Sequence, residues 1–272
     1  MTQSIARPVF QVSIAAIMLF QVAALFARSR LELSLMAHGV SEAVAEDLSY
    51  LVVPPILLAL GFPYLKQCNV QLLGLFRRSG LTWQVVVLSL LLGLTLRITR
   101  WSVLTVLMWT GLVANEDPHA VAGPLIGFHC PSPPVLILSL GVMSLLVPMI
   151  EEVVNRGFIL HALLPRGVAL SVTLSAVLFA LTHPPAGYAA AFVAGVLLSI
   201  RTLNSGTLWP AVIAHAAYNT AAVIDWECFR IVWNPPASDP QLAVAGMIAA
   251  PVAVIATAVA VVIVTRKTAG AS

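Results

Sequence analysis

Residues 134–148 read PVLILSLGVMSLLVP, and residues 149–158 continue MIEEVVNRGF. The first stretch carries no charge at all. The second adds two adjacent glutamates, Glu151 and Glu152, and an arginine, Arg156. About 20 apolar residues are enough to cross a bilayer as a helix. An ionised side chain at the centre of that bilayer costs about 2.5–3.5 kcal/mol on insertion scales. Three of them in such a run need a structural partner or a chemical use.

The whole chain shares the character of this stretch. Of its 272 residues, 60% are hydrophobic and 9% are charged, and the mean hydropathy is +0.97. Soluble domains carry roughly 25% charged residues. The composition therefore predicts an all-α, polytopic membrane bundle, with residues 1–272 forming a single membrane-embedded domain and the lipid bilayer as its first partner. The formal charge is only +3, and no block of Lys or Arg resembles a nucleic-acid patch. Cys68, Cys130 and Cys228 show neither CxxC nor metal-ligand spacing.

Eight hydrophobic segments are expected to span: 8–27, 48–65, 83–113, 133–163, 168–184, 187–202, 207–225 and 240–264. The first is too long for a signal-peptide core and reads as a retained helix. Arg97 and Arg100 interrupt the third, which could split into two short helices. Between the second and third, residues 69–83 are amphipathic and basic, as an interfacial segment or an ordinary basic loop would be. Eight spans put Arg7, Lys66, Arg77, Arg78, Arg166, Arg201, Arg266 and Lys267 on one side and Arg28, Arg30 and Arg230 on the other. That asymmetry predicts both termini in the cytoplasm, with the chain in the plasma (inner) membrane.

Three polar constellations lie inside these spans. In the first, Glu152 and Arg156 are four apart and share a helix face, while Glu151 points about 100° away. A buried structural ion pair accounts for Glu152 and Arg156 but leaves Glu151 unexplained. The second is FALTH, Phe179 to His183, near a helix end, where a lone histidine is often structural. The third is HAAYN, with His215 and Asn219 on one face, which a helix-bridging hydrogen bond would also explain.

Their depths connect them. Glu151 lies about 14 residues before the 165–167 loop and His183 about 17 after it, so at ~1.5 Å per residue both sit ~21–26 Å from that loop. A carboxylate withdrawn from bulk water becomes a stronger base, which suits it to deprotonating a water. A histidine and an asparagine on a neighbouring helix can donate to a developing oxyanion. This is equipment for acyl hydrolysis without a nucleophilic Ser or Cys. GxSxG, HExxH and GxGD are all missing, which argues against rhomboid-like, site-2-like and presenilin-like sites.

EEVVNRGF, FALTH and HAAYN, in that order on successive hydrophobic segments, resemble the three motifs of the CAAX protease and bacteriocin-processing (CPBP, or Abi) family, which includes the type II CAAX prenyl endopeptidases. The family pattern is EExxxR, FxxxH and HxxxN, and every signature position matches. The resemblance covers roughly 133–225. It implies an intramembrane endopeptidase acting on a membrane-associated or lipidated peptide, such as a prenylated CAAX tail or a bacteriocin-type peptide. Carried over by motif, Glu151 would activate water with help from His183. His215 and Asn219 would stabilise the oxyanion, and Glu152 and Arg156 would be the supporting pair. Asn155 stands where an aromatic is common in the family, which bears on the pocket wall.

The family's chemistry has been described both as glutamate-based and as metal-based. Glu151, His183 and His215 could form a His₂Glu zinc site. Against that, each ligand comes from a different helix, and a histidine nitrogen that donates to an oxyanion cannot also bind a metal. A glutamate-activated water without a metal is the preferred expectation. Two other readings stay open at this level. One is a catalytically silent immunity or scaffold protein of the same fold. The other is a proton-coupled carrier relaying through Glu151 and the histidines, although paired broken helices or repeat symmetry, expected of carriers, are not evident.

Overall fold

The computed structural model describes residues 12–68, 72–77, 81–109, 132–183 and 187–223, together with Ile248, Val252, Ile255 and Val259. Described residues are helical or turn throughout, and no strand occurs among them. Helix α1 (Ile14–Ala37) starts at Ser13, whose hydroxyl accepts from the Ala16 N–H at 3.4 Å. It ends before Gly39, which at φ +85° takes the left-handed turn that glycine allows at low cost. Helices α2 (Glu42–Tyr50) and α3 (Val53–Gln67) follow, with Pro54 and Pro55 in the first turn of α3. Proline lacks an N–H to donate backward, so the chain breaks at residues 51–52 and restarts.

Helix α4 (Trp83–Trp109) is continuous. Helix α5 (Pro133–Arg166) is the longest span and contains two π turns, Val142–Leu146 and Val153–Ile159. Gly167, at φ +104°, turns the chain into α6 (Val168–Leu181). Helix α7 (Tyr188–Ser205) ends on Gly206 in the left-handed conformation, and α8 (Trp209–Val223) begins three residues later.

Five of these segments are long and apolar enough to cross a membrane: α1, the α2–α3 pair taken together, α4, α5 and α7. The protein is an integral, helical membrane protein. Helix α6 has 14 residues and α8 has 15, so each is shorter than a straight span of the ~30 Å hydrocarbon core requires. The eighth expected segment, 240–264, lies outside the described residues except at four positions. At those four, Ile248, Val252, Ile255 and Val259, the side chains are exposed.

Several boundaries differ from the sequence reading for physical reasons. Helix α1 runs ten residues beyond the expected end at 27. Arg28 and Arg30, expected in an outer loop, are therefore inside the helix. Arg28 stays there because its partners are in reach: Glu32 Oε2 at 3.2 Å, Glu46 Oε1 at 3.4 Å and the Tyr50 ring at 3.8 Å. Asp47 on α2 accepts a short hydrogen bond from Ser139 on α5. A polar cluster thus ties α1, α2 and α5 together. Arg97 and Arg100 do not split α4. The described part of 69–83 holds a five-residue 3-10 turn, Leu72–Phe76. Its carbonyls fix it: Leu75 O accepts from the Leu208 N–H at 2.9 Å, and Phe76 O from Trp209 Nε1 at 3.1 Å.

Large apolar side chains face outward and polar ones inward. Leu19, Phe26, Ile137 and Leu145 are exposed, whereas Glu152, Asn155, Arg156, Ser171 and Ser175 are buried. Lipid tails are as apolar as leucine, so close packing of small residues holds such helices together. Gly195 on α7 lies against Ala176 on α6, where an added Cβ would come within 2.9 Å of the Ala176 Cα. Gly93 on α4 lies against the backbone carbonyl of Ala214 on α8, leaving no room for a Cβ. The second contact sets α8, and with it His215 and Asn219, against α4.

Candidate active site

The two π turns of α5 bracket Val147–Glu152. Each turn spaces its backbone bonds five residues apart: the Val147 N–H reaches Val142 O, and the Leu160 N–H reaches Asn155 O. The extra residue per turn re-aims the side chains between them, a distortion common at functional sites. Glu152 is completely buried, whereas the Glu151 side chain is 23% exposed.

Glu152 Oε1 accepts from Arg156 Nη1 at 2.8 Å and faces His215 Nδ1 at 2.9 Å. A carboxylate can only accept, so the Nδ1 proton of His215 is directed at Glu152. That leaves His215 Nε2 toward Glu151, whose Oε2 is 3.8 Å away. Adjacent residues thus hold different environments. Glu152 is locked between two basic side chains, and Glu151 is open with one ring nitrogen before it.

Phe179 is the hub beneath them. The Arg156 guanidinium lies 4.2 Å from its ring centroid, with the His183 ring at 4.7 Å and the His215 ring at 5.9 Å, both edge-on. His183 Nδ1 is 2.9 Å from the Phe179 carbonyl, one turn back. It therefore donates there, and Nε2 is the nitrogen left to the site. Asn219 donates from Nδ2 to Met143 O, in the first π turn, at 2.8 Å. Its second amide hydrogen is not used by that bond. The structure thus brings Glu151, Glu152, Arg156 and His215 into direct contact. It attaches His183 through Phe179 and Asn219 through the Met143 carbonyl.

Asn155, expected to bear on the pocket wall, also makes contacts within the bundle. It is buried and donates from Nδ2 to the Glu151 carbonyl at 2.8 Å, while its own carbonyl accepts from Ser175 Oγ at 3.1 Å. It braces the segment that carries the glutamates. Its Nδ2 is satisfied by the Glu151 carbonyl, while its Oδ1 is buried without a hydrogen-bond partner. His161 is buried with Nδ1 2.6 Å from the Arg156 carbonyl. The bracing by Asn155 and Ser175 and the hub position of Phe179 went unread in the sequence. The one available signal was the i, i+4 spacing of Phe179 and His183.

Among the described residues, no three His, Cys, Asp or Glu side chains form a group able to hold a metal. His119, His129 and Cys130 lie outside the described residues.

Residues 133–221 match the family model described as type II CAAX prenyl endopeptidase, Rce1-like. The match begins at the first residue of α5 and ends inside α8, so the Rce1-like segment contains all three motifs. Helices α1–α4 lie outside it. No curated protein and no solved structure matches the chain.

Proposed function

We propose that the protein is an intramembrane endopeptidase that hydrolyses a peptide bond of a membrane-associated or lipidated substrate, with CAAX-type tails the leading class. The observation that carries the reading is the contrast between the two glutamates. Glu152 has both an arginine and a histidine on one oxygen, while Glu151 Oε2 stands open 3.8 Å from His215 Nε2.

Glu151 takes a proton from a water that His183 Nε2 helps to hold, and the resulting hydroxide attacks the scissile carbonyl. For His215 Nε2 to donate to the oxyanion, both ring nitrogens must carry protons, one directed at Glu152 Oε1. Glu151, Glu152, Arg156 and this imidazolium then sum to zero charge before attack, which favours the arrangement away from bulk water. The second amide hydrogen of Asn219 supplies another donor to the oxyanion. Collapse of the intermediate returns the proton from Glu151 to the leaving amine. Metal-free chemistry, cytoplasmic termini and residence in the plasma membrane are parts of the same proposal.

The test compares the membrane peptides of cells carrying the wild-type chain with those carrying Glu151→Gln, by mass spectrometry. Peptides shortened at one bond in the wild type and intact in the variant are expected. Identical peptide profiles at equal protein levels would overturn the protease reading and leave a silent membrane protein of this fold.

A further inference from the structure

Two arginines in α4 have no part in the chemistry above. Arg100 Nη1 donates to the Tyr218 hydroxyl at 2.9 Å, and the Arg97 guanidinium lies 6.0 Å from the Tyr218 ring centroid. All three side chains are half-buried, so the group is neither sealed nor fully open. Two like charges three residues apart on one helix repel each other. Among the described residues, no carboxylate is paired with Arg97. An arginine within a membrane helix and without a counter-ion marks a functional site.

Its position relates it to the glutamates. Tyr218 is the residue before Asn219 on α8 and three after His215, about 4.5 Å further along the axis and about 60° around it. Gly93 meets Ala214, and Arg100 meets Tyr218, so α4 and α8 run parallel and the arginines lie level with the HAAYN residues. Arg97 is 14 residues into α4, or about 21 Å from its start. The apolar span of α4 covers Trp83–Arg100, so the two arginines lie in its last turn.

We infer that Arg97, Arg100 and the Tyr218 hydroxyl form a subsite for the terminal carboxylate of the peptide substrate. The inference rests on the protease reading and deepens it. Guanidinium groups are suited to a carboxylate because their N–H forks match its two oxygens. A point near Tyr218 is roughly 7 Å from one near His215, given a helix radius of 5–6 Å with side chains. A tripeptide leaving group in extended form spans about 10 Å. The two points are thus within reach of one short C-terminal peptide, and binding the carboxylate neutralises charge that Arg97 otherwise carries alone.

The test uses the purified full chain in detergent and two pairs of probes. One is a farnesylated peptide ending Cys-Val-Ile-Ala, as free acid and as C-terminal amide. The other is a fluorescently labelled Val-Ile-Ala tripeptide in the same two forms. The wild type is expected to cleave the acid about 10- to 100-fold more efficiently than the amide, the range lost with one charged hydrogen bond. Arg97→Gln should bring the ratio of acid to amide rates close to one. Arg97→Lys should keep part of the preference.

Equal acid and amide rates in the wild type, or an unaltered preference in Arg97→Gln, would overturn the subsite while leaving the protease intact. Cleavage of neither peptide would count against the protease reading. The labelled tripeptide then decides the subsite alone: tighter binding of the acid in wild type but not in Arg97→Gln supports it, and equal binding overturns it. If Arg97→Gln does not fold, Tyr218→Phe keeps the ring and should lower the acid preference severalfold, and an unchanged preference there overturns the proposal. Anionic lipid that co-purifies with wild type but not with Arg97→Gln, together with no acid preference, would identify a lipid headgroup as the occupant instead.

Discussion

Neighbouring glutamates 151 and 152 differ in what surrounds them, and that difference carries the residue-scale predictions. Glu151→Gln keeps the side chain's shape and removes its basicity. Turnover should fall about 10²- to 10⁴-fold, the usual loss with a general base, with the melting transition in detergent unchanged. Initial rates on any cleavable peptide beside a thermal melt would show it, and near-wild-type turnover would remove Glu151 from the base role. Arg156 is fully buried, with Glu152 at 2.8 Å. Arg156→Ala strands a buried carboxylate, which costs about 3–5 kcal/mol, so the variant should express poorly and melt early. A stable but inactive Arg156→Ala would instead put the arginine on the substrate. Elemental analysis of active protein tests the metal-free mechanism. No stoichiometric zinc is expected, and activity lost on chelation and restored by zinc would replace the mechanism. The i, i+4 spacing made the Glu152–Arg156 contact legible in the sequence. The approach of His215 to the same oxygen was not, because it joins residues 63 apart.

Helices meet here through small residues, and glycines report how closely. At Gly93 a Cβ would run into the backbone carbonyl of Ala214, which cannot move aside as a flexible side chain can. At Gly141 a Cβ would meet nothing within 4 Å. Gly93→Ala should therefore push α8 away from α4, lowering the melting temperature and displacing His215 from Glu152 with loss of activity. Gly141→Ala should melt as the wild type does, or slightly higher, because alanine is the better helix former. Melting the pair in the same detergent checks both, and equal stability of the two variants would refute the tight α4–α8 contact. The helices themselves were readable from hydropathy, but their ends and the π turns of α5 were not. A π turn shifts the bond pattern by one residue without changing composition, so no periodic signal reports it. The length of α1 likewise depended on Glu46 and Tyr50, which belong to another helix.

Across the whole molecule, polar clusters hold a bundle whose outer face is apolar. The Arg28 cluster ties α1 to α2, and the Asp47–Ser139 bond carries the tie on to α5. Arg28→Gln should destabilise the protein by leaving Glu46 without its cation, and adding Glu46→Gln should restore part of the loss, since a stranded charge costs more than an absent pair. A double-mutant cycle of melting temperatures measures this, and strictly additive losses would show that the pair is not coupled. The sequence by itself determined the class of the protein: an all-helical membrane chain, with three polar motifs on successive apolar segments and the pairing of Glu152 with Arg156. Those features follow from composition and from spacing within one helix, which short-range geometry fixes. Only the tertiary structure decided that His215 joins Arg156 on Glu152, that Ser175 reaches the Asn155 carbonyl, and that Arg97 and Arg100 converge on Tyr218. Each of these depends on contacts between residues distant in the chain. Such contacts are set by how helices pack against one another, and no local periodicity encodes that.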